Sequence, residues 1–169
     1  MSSEQGSEPG EWDDKDFIKF CRVLVEGDKG KGTTGGPKVG WMGDMMLRLR
    51  EMKEAGLFFS FHITVAAVAY VYMKHVKLME NCALMHAKRD LDVRSAYMGR
   101  FQREVSLKTN KETMAKGSPD KIDFLFSTYL LMGAGFTLAR AHYTVLIDPA
   151  TAGQYEIQAA ARAHRLNQM

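Results

Sequence analysis

The segment Ala55–Met73, AGLFFSFHITVAAVAYVYM, holds nineteen consecutive residues without a formal charge. An α-helix rises about 1.5 Å per residue, so the run covers roughly 28 Å, close to the roughly 30 Å hydrocarbon core of a bilayer. Basic residues bracket it, with Arg48, Arg50 and Lys53 on one side and Lys74, His75 and Lys77 on the other. The alternative is a helix buried on every face, which needs a large protein around it. A chain of 169 residues is short for that.

A second apolar stretch strengthens the membrane expectation. From Phe124 to Ala139 there is no charge, and past Arg140 the apolar character continues to Ile147. A long arginine side chain can snorkel to an interface, and the small residues Gly133, Ala134 and Gly135 would let another helix approach closely. Mean hydropathy is below zero and 25% of residues are charged, but the charge lies outside these two runs. The expected fold is therefore an all-α membrane protein with two transmembrane helices, over about 55–73 and 124–147.

Three regions follow from this division. Residues 1–54 form a polar N-terminal region: an amphipathic helix over 13–26, with Phe17, Phe20, Val23 and Leu24 at helical spacing after acidic residues, then a glycine-rich loop, then a helical pattern from Trp41. Residues 55–147 form the hairpin, and 148–169 a C-terminal surface helix. The connection 74–123, expected to run as a long basic helix to about Gly99 and then as a polar loop, carries 11 Lys/Arg against 7 Asp/Glu, whereas 1–54 carries 9 against 11. The positive-inside rule then places the connection in the cytoplasm or mitochondrial matrix, with both termini across the membrane. Lys74, Lys77 and Arg140 are candidates for contacts with lipid headgroups, anionic ones included, and Trp41 for the interfacial belt. The net charge of +3 is too small and dispersed to argue for nucleic acid.

Signals for chemistry are sparse. A P-loop requires GxxxxGK[ST], but Gly27 and Gly32 are followed by Thr33 and Thr34, so the cradle lacks its lysine. No HExxH or CxxC occurs, and Cys21 and Cys82 make no disulfide framework. No catalytic residue, cofactor or metal is expected. His62 inside an apolar run is the exception, because an intramembrane ionisable residue is a site hypothesis by default. It could ligate haem in a haem- or quinone-binding anchor, although His142, the obvious second ligand, sits at a depth different by roughly 10 Å. A further alternative is a helical viral coat or other assembly protein, with Arg94, Arg100 and Arg103 on nucleic acid.

The stretch FQREVSLKTNKETMAKGSPDKIDFLFSTYLLMGAG resembles the pattern of mitochondrial cytochrome c oxidase subunit VIIa. The matching positions are Phe101, Gln102, Lys116, Gly117, Ser118, Asp120, Phe124, Thr128 and Gly133. The proline usual in that polar stretch is absent, and everything before Phe101 lacks a counterpart. The resemblance implies a non-catalytic accessory subunit of a respiratory chain complex in the mitochondrial inner membrane, packed on other subunits through Gly133 and Gly135. The segment before its helix would face the matrix, as the charge bias also implies.

Overall fold

A computed structural model describes residues 14–31, 35–102, 121–132, 138 and 140–163. In chain order they form helices α1 (Lys15–Glu26) and α2 (Pro37–Glu51), strand β1 (Ala55–Ser60), and α3 (Ile63–Val71), which continues as a π-helical turn over Tyr72–Val76. Strand β2 (Cys82–Leu84), helix α4 (Leu91–Gln102), strand β3 (Phe124–Thr128), the short helix α5 (Tyr129–Met132), strand β4 (Ala141–Leu146) and helix α6 (Gly153–Ala163) follow. The four strands make one parallel sheet in the order β2-β3-β1-β4.

The first apolar run is thus a strand, a turn at Phe61–His62 and a helix. All six residues of β1 are buried. A parallel strand covered on both faces reads as a continuous apolar run without alternation, which is why its sequence imitates a span. Helix α3 extends the run because Ala66–Val71 are all buried, and a helix packed on every side has no polar stripe. The second run likewise divides into β3, α5 and β4. Among the described residues no helix is long and apolar enough to cross a membrane.

These observations overturn the all-α architecture with transmembrane helices over 55–73 and 124–147, and the long helical connection after Lys74 is instead broken by strand β2 before α4. The mitochondrial inner-membrane placement and the role as an accessory subunit of cytochrome c oxidase or another respiratory complex fall with it, since both required the two spans. The helical assembly protein is overturned by the sheet.

Side chains alternate across the sheet into two cores. Phe58, Cys82, Leu84, Phe124 and Phe126 meet α1, α2 and α3, whereas Leu57, Phe59, Ala83 and Leu125 meet α4, Tyr129 and Ala159 of α6. Phe58 stacks on Phe126 at 4.9 Å between ring centroids, and Tyr70 of α3 meets Phe126 edge-on at 6.2 Å. Burying each of these rings contributes about 1.5–3 kcal/mol.

The crossovers explain the strand order. From β1 the chain moves outward to β2 through α3 on one face, then returns to β3 through α4 on the other and reaches β4 on that same second face. Opposite lateral moves on opposite faces keep a single crossover hand, the arrangement that twisted strands and helices favour.

Candidate functional site

At the carboxyl end of the sheet, β1 sends its chain to one face while its neighbours β3 and β4 send theirs to the other. That divergence makes this end the switch point of a doubly wound sheet, the place where such folds form their ligand crevice. Three apolar strands end beside it in polar residues: Ser60 on β1, Thr128 on β3, and Asp148 two residues beyond β4.

Asp148 organises this end. The ladder extends one residue past β4, with Ile147 N–H donating to Phe59 O at 2.8 Å. That brings the Asp148 carboxylate under the turn after β1, where Oδ1 accepts from Phe61 N–H at 2.7 Å and Oδ2 lies in contact with Ser60 Oγ. Ser60 Oγ also lies 2.9 Å from His62 O. The hydroxyl has one proton, and the anionic acceptor takes it because charge-assisted bonds are the stronger ones. The Oγ then accepts from His62 N–H at 3.2 Å. On the other side, Tyr129 O–H donates to Asp148 O at 2.6 Å, and its ring stacks on Phe59 at 5.9 Å. Burial, followed by the negative charges of Asp148 and Glu156, pushes the Tyr129 phenol up to about 12.

Ser60, His62 and Asp148 share the residue types of a hydrolytic triad but not its geometry. His62 enters through its backbone as the N-cap of α3, while its exposed ring meets Phe61 edge-on at 5.0 Å. No imidazole bridges the acid and the hydroxyl, as that mechanism requires. Thr128 Oγ1 accepts from Leu131 N–H at 3.4 Å, and the fully buried Ser127 Oγ has no partner among the described residues.

The opposite end of the sheet carries a structural anchor. Arg140 donates to Phe101 O at 2.7 Å and Ile122 O at 2.8 Å and pairs with Asp123. Its backbone N–H donates to Gln102 Oε1 at 3.1 Å. Burial alone would raise the Asp123 pKa, but hydrogen bonds from Arg140, Asn81 and Lys121 outweigh it and hold the carboxyl below its usual value. Nearby, His142 Nδ1 pairs with Glu54 at 2.6 Å on the exposed side.

The residues singled out from the sequence are therefore dispersed. His62 and His142 lie at opposite ends of the sheet, so the haem anchor with His62 as ligand is overturned together with its membrane. Arg140 is an internal anchor, whereas Lys74 and Lys77 cover the rings of Tyr70 and Tyr72 at 5.5 and 5.8 Å. Trp41 is exposed on α2, and Phe101 is buried on α4 beside Gln102. Phe124 and Thr128 open and close β3 rather than a membrane helix. Gly133, Gly135, Lys116, Gly117, Ser118, Asp120 and Arg103 lie outside the described residues; Arg100 is buried on α4 and Arg94 partly so. The sequence reading missed Asp148, Ser60 and Tyr129. For Ser60 and Asp148 the signal was a strand-length segment closing on Ser or Asp, and nothing in the sequence marked Tyr129.

The sequence matches no family model, and no curated protein matches it. The fold is similar to the crystal structure of the C-terminal part of the Fun30 ATPase domain, with a TM-score of 0.63 and 15% identity, over 90% of this chain and 46% of that one. The chain thus spans less than half the length of that structure. At this identity the likeness establishes the doubly wound α/β fold.

Proposed function

We propose that the chain is one lobe of an ATPase domain, closing on a nucleotide whose phosphates are held by another body. The observation that carries this reading is the topological switch point beside β1, in a fold similar to the C-terminal part of an ATPase domain. Ligands of open α/β sheets bind outside the carboxyl ends of the strands at such a point. Phosphoryl transfer consists largely of positioning and charge stabilisation around a phosphate cradle. The glycine-rich segment here has no P-loop lysine, so the cradle comes from elsewhere. This lobe would supply the rigid wall, with the Ser60–His62 turn fixed by Asp148.

Photolabelling tests the reading. The native protein, in whatever assembly it occupies, is labelled with 8-azido-ATP and Mg²⁺, and its peptides are mapped. Label competed by ATP is expected on peptides carrying residues 60–62, 128–132 or 146–150, and the 169-residue chain by itself is expected to hydrolyse no ATP. Competed label absent from those peptides, or hydrolysis by the chain alone, overturns the proposal.

A further inference from the structure

Beside the crevice, between the first turns of α2 and the end of β4, lies a cavity of about 400 Å³. That is the size range of sites for small ligands or single inserted side chains. Trp41 lines it while remaining 63% exposed, so an indole face is available to an occupant. Met42 and Ile147 supply apolar surface, and Asp148 and Glu156 bring carboxylates. Among the described residues Lys38 is the single cation in the lining, against the two acids.

Both carboxylates keep capacity to accept. Each oxygen of Asp148 already takes one hydrogen bond, but a carboxylate offers about four lone-pair sites. Glu156 Oε1 accepts from Ala150 N–H at 2.9 Å, and its other oxygen has no partner among the described residues. Both acids also lie near Tyr129, whose phenol is pushed up first by burial and then by their negative charges. An anion is disfavoured in such a lining. A compact ammonium would find the charge but forgo the aromatic wall, because it is strongly hydrated. A guanidinium satisfies all three surfaces: its flat cation stacks on indole, its fork of N–H groups matches carboxylates, and its weak hydration suits apolar surroundings.

We propose that this cavity binds a guanidinium group, with Trp41 as the stacking wall and Glu156 and Asp148 as acceptors. Asp148 also holds Ser60 and Phe61, so an occupant competes for the carboxylate that fixes the crevice. The site stands on its own residues, whether or not the crevice takes a nucleotide.

Fluorescence tests it. The chain has two tryptophans, and a Trp12→Phe variant leaves Trp41 as the reporter. Titrations use N-acetyl-arginine amide, free arginine, and N-acetyl-citrulline amide, the neutral isostere. A saturable change is expected with the arginine compounds, with citrulline roughly tenfold weaker or more. Glu156→Gln keeps an acceptor for Ala150 N–H and so preserves the fold, yet it should weaken binding severalfold. Lys38→Met should tighten the blocked amide by removing a like charge. Tighter binding of free arginine, lost in Lys38→Met, identifies a small molecule whose α-carboxylate pairs with Lys38. Equal or weaker binding identifies an arginine within a polypeptide. Equal affinity for citrulline, no saturable change, or an unaltered Glu156→Gln overturns the proposal.

Discussion

The carboxylate of Asp148 accepts a hydrogen bond from the Ser60 hydroxyl across 88 residues of sequence, and this contact joins the end of β4 to the turn after β1. The same side chain accepts from Phe61 N–H, and its carbonyl receives Tyr129 O–H. One residue therefore fixes the loops that leave three neighbouring strands. The carboxyl ends of β1, β3 and β4 are tied together for that reason.

Removing the hub should be costly. Asp148→Ala leaves Phe61 N–H without an acceptor and hands the Ser60 hydroxyl to His62 O, and one stranded donor costs about 1–3 kcal/mol, so a loss of about 2 kcal/mol is expected. Ser60→Ala should cost about 1–2 kcal/mol. The two sites are in contact, so the double variant should be less destabilised than the sum, with a coupling of about 1 kcal/mol. Urea denaturation of the four proteins measures this. Additive losses would mean that the contact contributes nothing to the fold.

The two ion pairs at the other end should behave differently. Arg140 and Asp123 have side chains only 18% and 10% exposed, and removing one partner of a buried pair costs about 3–5 kcal/mol. Arg140→Ala also frees the carbonyls of Phe101 and Ile122, which places it in that range. The His142 side chain is 57% exposed, and exposed pairs contribute about 0–1 kcal/mol. Loss of the pair in His142→Ala should stay below about 1 kcal/mol. Comparable losses in the two variants would show that Arg140 is no anchor.

The amphipathic pattern over 13–26 coincides with α1 because a surface helix shows its buried stripe locally. Asp14 caps it, accepting from Asp16 N–H and Phe17 N–H at 2.9 Å. The helical pattern after Trp41 and the one after Pro149 likewise fall within or next to α2 and α6. The sheet was hidden for the converse reason. AGLFFS is buried on both faces and runs into ITVAAVAYV, buried from Ala66 to Val71, with only Phe61 and His62 between them and no Gly or Pro at the break. Periodicity cannot separate such a strand from a buried helix; segment length and polar terminal residues must do it. The crevice network was hidden because its members converge only through the sheet.

The pH dependence of stability should follow two groups. The Asp123 carboxyl is depressed in the folded state, so its contribution is present above the unfolded value of about 3.9 and is lost as pH falls through the folded one. Urea midpoints measured from pH 6 to 3 should fall less steeply in Asp123→Asn than in the parent. Tyr129 has the opposite sign. Its phenol is raised to about 12, so its contribution is present below the unfolded value of about 10 and fades as pH rises toward 12. Tyr129→Phe should flatten that alkaline loss, and identical slopes would show that the hydroxyl titrates as in the unfolded chain.

Burial of β1 on both faces has its own signature in neighbouring substitutions. A strand with one wet face tolerates truncation at every second position, but Leu57 and Phe58 point to opposite cores and are both 0% exposed. Leu57→Ala should cost about 2–5 kcal/mol and Phe58→Ala about 3–5 kcal/mol, because each leaves a cavity in a packed core. Leu146 on the edge strand β4 is 40% exposed, and Leu146→Ala should cost less than about 1 kcal/mol. Chemical denaturation gives all three values. Near-neutrality at either position of β1 would place one of its faces in solvent, contrary to a sheet covered by α3 on one side and α4 on the other.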